Sequence, residues 1–470
     1  MLDGGEQVKT TRIVTSILAM SLVAAVSMAG TGERTSIQGL GMGHVYTAMA
    51  RGLDAALLNP AGLDGDSTTF TFALLPIGVH VGSDFFTYDL YTSYFTGQDS
   101  GNTRVARNLS DADKQHILSV FPNGVGTIGF DLEARPVGLA IHTGIGSLAF
   151  TMTENASAQA RIPSEYVRFL FYGNTPGSVY DFHESALSAW WIREYGITLA
   201  TTLHHPFGLP VLGVGVTVKV VHGFGYAELT SFNSRLATGT DGVLHGTVDM
   251  HNRTAGIDPL TGNSDAGFSP FPAPAGSGMG LDIGATTELT SALRLGISVT
   301  DIGSITWTRN VRTAQADSAF VVDNPLDAGQ RDGVEKALQG TSTPGAPFST
   351  PLPTTIRLGA AMKVTDLPLI RGIVFGELTV GCDVDQVLFD APGTPAGTRV
   401  ALGMEWSPFR FLPIRTGYSW GGPDHTDFAL GLGVHLGLFE LDLASEDLGW
   451  LFSPKTVSYG AVSAGMKFRF

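Results

Sequence analysis

From Trp190 to the last residue, apolar side chains recur at every second position in one run after another. Val214, Val216, Val218 and Val220 form one row, Leu293, Leu295, Ile297 and Val299 another, and Ile356, Leu358, Ala360 and Met362 a third. The rows Leu378/Val380/Cys382, Val400/Leu402/Met404/Trp406, Ile414/Thr416/Tyr418/Trp420 and Phe428/Leu430/Leu432/Val434 follow the same rule. So do the shorter rows Ile197/Leu199, Leu281/Ile283/Ala285 and Phe439/Leu441/Leu443. A period of two puts alternate residues on opposite faces of a β-strand, so each row is one face. The other face is Gly or polar: Lys219, Asp282, Glu288, Arg294, Arg357, Lys363, Glu377, Asp383, Arg399, Glu405, Arg415, Glu440 and Asp442 fall there. In the final strand Met466, Phe468 and Phe470 alternate with Lys467 and Arg469. Eleven such strands in succession predict an all-β fold, a transmembrane antiparallel β-barrel with its apolar rows toward lipid and its polar rows toward a wet lumen. The last strand, ending on an aromatic, is expected to pair with the first and leave no open edge in lipid.

The connections give the strands a direction. His204 to Pro210, Thr290 to Ala292, Asp366 to Arg371, Ser407 to Pro413 and the phase change at Gly437 are short; His222 to Gly280, Asn310 to Pro353 and Gln386 to Gly397 are long. Outer-membrane barrels carry short periplasmic turns and long extracellular loops. The strand starting near Trp190 then runs inward, and both mature termini are periplasmic. An odd number of strands precedes it: three make fourteen in all, and five make sixteen. Between Thr68 and Ala160 the pattern offers Thr68 to Leu75, Phe85 to Phe95, Gly126 to Ala134, Val137 to Thr143 and Ser147 to Ala160. Arg135-Pro136 reads first as a tight turn and second as a bulge inside one long strand, because proline cannot donate to a ladder. A strand broken in this way could open a lateral exit for an apolar ligand. Gly97 to Asp113 reads as a loop, Glu165 to Tyr172 and Gly333 to Leu338 as short surface helices, and Ser269 to Gly278 as a flexible or extended cap.

Composition fits a barrel better than a helical membrane bundle. After the N-terminus no apolar run approaches the length of a spanning helix. A mean hydropathy of +0.16 is what strands with one lipid face and one polar face average to. Lys9 and Arg12, the apolar run Ile13 to Ala25 and Ser27-Met28-Ala29 have the order of an export signal cleaved after Ala29. The expected plan is therefore a signal peptide (1–29), an N-terminal hatch (30–66) and a barrel (67–470) in the bacterial outer membrane. The net charge of −15 argues against a nucleic-acid partner. The single cysteine, Cys382, sits in a lipid-facing row and has no disulfide partner.

Gln38 to Leu63 passes from Gly-rich to Ala/Leu/Met-rich sequence, which predicts a short helix ended by Asn59-Pro60. Gly39, Gly41 and Gly43 follow no strand and miss the dinucleotide spacing. The order G-x-G-M-G-x-x-x-T-A, a small-residue helix and N-P-A-G-L is carried by Gly39, Gly41, Met42, Gly43, Thr47, Ala48, Asn59, Pro60, Ala61, Gly62 and Leu63. It resembles the N-terminal segment of FadL-type hydrophobic-compound transporters, and at least as much that of the PorV/PorQ barrels associated with type IX secretion. The stretch Asp301 to Trp307 and the C-terminal third are similar too. The resemblance implies a hatch folded into a barrel of typically fourteen strands. It marks Gly39, Gly41, Met42, Gly43, Asp54, Asn59, Pro60, Ala61, Gly62 and Leu63 as hatch or ligand residues. Where that group carries a second acidic residue, this chain has Arg51-Gly52.

Chemistry-bearing residues are sparse. His204-His205 has no further ligand at metal spacing, and Ser277 lies in a Pro/Gly-rich loop rather than at a nucleophile elbow. No enzyme activity, metal or cofactor is expected. The inward acid pairs Asp383/Asp385 and Glu440/Asp442 are expected to meet Arg399 and Arg415 on neighbouring strands. Trp307, Trp406, Tyr418, Trp420, Tyr459 and Phe468 are expected in the interfacial aromatic girdles. Three functions fit: passive passage of a hydrophobic small molecule past a moving hatch; a secretion-associated barrel that binds a secreted protein or secretion-system component; and a plugged structural barrel. An apolar cavity beside Asn59-Pro60 speaks for the first, and a charged, filled lumen for the other two. Membrane lipid is a partner in all three.

Overall fold

The computed structural model describes residues 33–66, 68–101, 103–256, 271–324, 326–422, 426–447 and 458–470. The expected signal peptide and the first residues of the expected cap lie outside them. Fourteen strands form the barrel wall: β1 (Phe70–Ser83), β2 (Val125–Thr143), β3 (Gly146–Pro163), β4 (Ala186–His204), β5 (Val211–Phe232), β6 (Gly276–Glu288), β7 (Leu293–Trp307), β8 (Thr355–Lys363), β9 (Glu377–Val387), β10 (Gly397–Phe409), β11 (Leu412–Gly421), β12 (Thr426–Leu436), β13 (Phe439–Glu446) and β14 (Tyr459–Arg469). Each pairs antiparallel with the next. The barrel closes where β1 meets β14, from Thr71↔Arg469 to Gly82↔Tyr459, and Phe70 and Phe470 exchange backbone hydrogen bonds of 3.0 and 2.8 Å. Three strands precede the one that contains Trp190, so the lower of the two expected counts is the one found. The alternating rows explain the wall: Val220, Ile297, Leu358, Leu402 and Val462 are exposed on the outside, as is Cys382. Among the described residues no helix is long and apolar enough to cross a membrane.

Several expectations are corrected. Phe85 to Phe95 is not a strand, because Tyr88–Tyr94 is helical. Thr87 caps it by accepting the Leu90 amide at 3.1 Å, and a cap with Asp89 in the first turn outweighs the strand preference of the aromatics. Arg135-Pro136 is not a turn. Strand β2 runs through it and shifts register against β3 between Ala134 and Val137. The reason lies in the neighbour: β1 shifts against β14 between Leu74 and Ile77, around Pro76. Between Ala73↔Gly138 and Ile77↔Ala134 the two strands form no ladder pair, so both prolines face a gap that needs no N–H from them.

The described parts of the long loops carry secondary structure of their own. Strand β5 continues to Phe232, and above the wall Leu244–Ala255 pairs with both β5 and Arg312–Val322. The helix Ala328–Gln339, capped by Asp327, packs against Arg312–Val322; it is longer than the helix expected at Gly333 to Leu338. Glu165–Tyr172 is helical. Trp307 does not join a girdle. It is fully buried at the long-loop end with Ile192, Tyr226, Ile305, Leu352 and Phe348, and its indole Nε1 donates to Thr350 Oγ1 at 2.9 Å. Gly223 and Gly276 make the room, since a Cβ at either would run into the indole ring. Trp406, Tyr418 and Trp420 are exposed on the outside.

Candidate functional site

Residues 33–66 fill the lumen as a broken chain rather than as the single helix expected. They form the helix Ile37–Gly41, a 3-10 turn Gly52–Asp54, the helix Ala55–Leu58 and a 3-10 segment Pro60–Gly65. The second helix ends at Asn59, whose extended backbone (φ −149°) sets up Pro60. Gly43 turns the chain in the left-handed region (φ +65°), where a Cβ is costly.

This segment lies directly on the backbone of the wall, and glycine makes that approach possible. A Cβ on Gly417 or Gly403 would overlap the Met42 carbonyl oxygen, one on Gly284 would overlap Asn59 Oδ1, and one on Gly215 would overlap the Pro60 carbonyl. At Gly431 it would stand 3.0 Å from Gly41 Cα, at Gly296 2.7 Å from the Thr47 carbonyl oxygen, and at Gly359 2.8 Å from Thr47 Cβ. These glycines occupy inward positions on seven of the eight strands from β5 to β12 and form a belt under the segment. Interiors this dense leave no slack for an added methyl.

Polar side chains of the wall satisfy the backbone that the broken helices leave unpaired. Asp383 accepts the amides of Tyr46 and Thr47 at 2.9 and 2.7 Å. Ser298 Oγ donates to the Leu58 carbonyl at 2.6 Å, and Arg135 Nη2 to the Thr35 carbonyl at 2.9 Å. Asn59 Nδ2 donates to the Thr47 carbonyl within the segment at 2.9 Å and to the Ala285 carbonyl of the wall at 3.3 Å. Asn59→Ala removes these bonds and strands the buried Thr47 carbonyl, at a cost of about 1–3 kcal/mol. The expected result is a loss of roughly tenfold or more in hydrogen-exchange protection of residues 44–63, read by mass spectrometry, with the barrel intact.

Ion pairs add a second set of ties. Glu33 contacts Arg357 at 2.8 Å and Arg399 at 2.9 Å. Arg34 pairs with Glu446 and lies 3.6 Å from Asp131; His44 bridges Glu446 and Glu33. Asp54 meets Lys467 at 2.5 Å and Arg135 at 3.6 Å, and Asp66 meets Arg469 at 2.5 Å. Burial opposes the charges on Glu33 and Asp54, yet the facing cations hold both carboxyls below the usual carboxylate range. A lowered folded value means these ties are complete at neutral pH and weaken only as pH falls through it. Of the expected acid pairs, Asp385 meets Arg399 at 2.7 Å and Asp442 meets Arg415 at 2.6 Å, whereas Asp383 serves the plug amides instead. Among the described residues His435, Glu440 and Asp442 come together as a metal-like group, but Arg415 and Arg469 already occupy the carboxylates.

The ten sequence-marked residues thus gather in one plug, mostly against the wall, with Asp54 and Ala61 bordering the polar chambers on its short-turn side. Asn59 is fully buried, and Pro60 is wedged between Gly215 and Gly284. The space beside the pair is filled, and the lumen around it is charged. Two open polar chambers, of about 480 and about 290 Å³, lie on the short-turn side of the plug. On the long-loop side Lys219 sits buried among Asp301 (2.5 Å), Asp282 (3.0 Å) and Glu194 (3.5 Å). One arc differs: Leu53, Ala56 and Leu63 of the plug pack on Ala73, Ala140, Ala149 and Ala200 of β1 to β4. Leu53 reaches Gly138, beside the gap between β1 and β2. Sequence reasoning missed Glu33, Arg34 and Arg135 as ties, and it missed the glycine belt, whose signal was the recurrence of Gly at inward positions of successive strands.

Comparison with known proteins bears on the fold. The chain matches the family described as family of unknown function (DUF5723) over residues 60–446. No curated protein matches it. Among solved structures it is similar to the P. putida toluene transporter TodX, with a TM-score of 0.50 and 11% identity over 95% of this chain and 99% of that one. It is also similar to the Ralstonia pickettii toluene transporter TbuX (0.48, 12%, 95% and 99%) and to a Pseudomonas aeruginosa FadL homologue (0.48, 13%, 95% and 100%). At such identities the likeness concerns architecture alone. The chain belongs to the DUF5723 family, and its fold is the fourteen-stranded barrel of the FadL-type outer-membrane transporters.

Proposed function

We propose that this barrel lets apolar small molecules pass between its long-loop end and the bilayer, leaving sideways through the wall between β1 and β2. The observation that carries this reading is the gap itself. Over Leu74–Pro76 and Arg135–Val137 the two strands form no ladder pair, and the plug surface behind the gap is the apolar arc of Leu53, Ala56 and Leu63. Outside, Leu74, Leu75 and Ile77 are exposed. An apolar solute crossing there meets methyl groups and the aliphatic stem of Arg135, whose guanidinium is turned to Asp54 and the Thr35 carbonyl, whereas a path straight down the lumen meets several buried ion pairs and then polar chambers, which oppose every apolar step by desolvation. The N-terminal segment acts as the hatch, closed in this state, and a shift of Leu53 away from Gly138 opens the path. The outer membrane is the site of action, with the short turns in the periplasm.

The competing reading is a permanently plugged barrel, favoured by the number of buried ion pairs that tie the segment in place. Photolabelling separates the two. A small apolar carbene precursor (a diazirine derivative of toluene) is added to the barrel in lipid nanodiscs, and labelled positions are mapped by mass spectrometry. Passage predicts labels on Leu53, Ala73 and Gly138 as well as on the lipid-facing rows. Labels confined to outward positions such as Val220 and Leu402 support the plugged barrel.

A further inference from the structure

The pair Arg51-Gly52 finds a role in the chambers under the plug. Arg51 comes from the plug and Arg294 from β7, and both line the two polar chambers. A point at the ideal Cβ position of Gly65 lies 3.5 Å from Arg51 Cγ and 3.6 and 3.9 Å from the two Arg294 Nη atoms. The Arg51 stem and the Arg294 guanidinium therefore flank one small space, and the Arg51 guanidinium reaches toward Glu288, the ladder partner of Arg294. Their compensation is poor. The Nε of Arg294 is buried without a hydrogen-bond partner, and its Nη2 reaches only Thr286 Oγ1, at 3.4 Å. Arg51 has Glu288 at 3.8 Å, with both side chains about half exposed, a distance and exposure at which an ion pair contributes little. The other nearby acids are engaged elsewhere: Asp66 by Arg469 at 2.5 Å, Asp64 by His142 at 3.2 Å and Glu377 by Lys363 at 3.1 Å.

We infer that the space between Arg51, Arg294 and Gly65 is a binding site for a small oxyanion, a carboxylate or phosphate group held by one guanidinium from the plug and one from the wall. The chemistry is the planar, charge-assisted recognition that paired arginines offer to carboxylate and phosphate oxygens. Because its two halves belong to different elements, an anion in the site also ties the plug to β7. The site does not depend on the lateral passage proposed above.

The test is calorimetric titration of the purified full-length barrel in zwitterionic detergent at low chloride, first with inorganic phosphate and then with acetate. The expected result is saturable binding of at least one of them, weakened about tenfold or more by Arg294→Gln or Arg51→Gln and tightened by Glu288→Gln. Gly65→Asp is expected to abolish binding while keeping both arginines, since it places a tethered carboxylate between them. Heat-modifiable migration of each variant confirms a folded barrel. Tighter binding of phosphate identifies a phosphate group as the natural ligand chemistry, and tighter binding of acetate a carboxylate. Absence of saturable binding of both, or wild-type binding in both Arg294→Gln and Gly65→Asp, overturns the inference.

Discussion

Gly417→Val is expected to unseat the N-terminal segment while leaving the barrel folded. Any Cβ at this position overlaps the Met42 carbonyl and stands 2.5 Å from the Gly43 amide nitrogen. The obstruction is backbone on both sides, so no rotamer change relieves it; either the strand bends or residues 41–44 lift off. Overpacking of an interior costs about 1–3 kcal/mol when side chains can give way, and here the upper end is the appropriate figure. The loss should appear as a fall of roughly a hundredfold in hydrogen-exchange protection of Ile37 to Met49, at about 1.4 kcal/mol per tenfold. The control is Thr416→Val, one residue away but on the outward row. It should leave protection of the segment unchanged.

Arg34→Met is expected to be at least as damaging for a different reason. Arg34, Asp131 and Glu446 are essentially without solvent contact, and Glu133 nearby accepts the amides of Arg34 and Thr35. Removing the one guanidinium leaves carboxylates buried against each other, which costs about 3–5 kcal/mol for a broken buried pair. Urea titration of the detergent-solubilised barrel should show a lower midpoint for release of the segment. Adding Glu446→Gln should recover part of the loss, because the penalty comes from an uncompensated charge rather than from missing packing. If the double variant is no better than the single one, the ion network is not what holds this end of the plug.

The two variants also show which parts of the molecule could be read from sequence. Alternation such as Val400/Leu402/Met404 against Ala401/Gly403/Glu405 gives strand, facing and lumen at once, because a period of two is set by the backbone alone. The alternation of short and long connections was legible as well, and so was closure by the two end strands. The plug could be placed by the resemblance of Gly39 to Leu63, but its path could not. Its helices break where Asp383, Asn59 and Ser298 collect stray amides and carbonyls from far along the chain, and no local pattern encodes those partners. The same holds for Arg135-Pro136. A proline in a strand reads as a turn until the neighbouring strand is known to carry Pro76 opposite it. Trp307 looked like a girdle residue because its inward neighbour, the small Gly223, lies in a different strand.

The central claim is that apolar molecules cross the wall at the β1–β2 gap, and the most direct measurement is uptake of a radiolabelled apolar probe by cells producing wild-type or Pro76→Val/Pro136→Val barrel. Valine restores at each position the N–H that a continuous ladder needs, so the double variant narrows the gap while keeping every ion-pair partner of the plug, Arg135 included. The account predicts uptake well above that of cells without the barrel, and a fall to that background in the double variant, with equal barrel yield and unchanged protection of the plug. Uptake by the wild type no faster than by cells lacking it, or equal uptake by the double variant, contradicts the account.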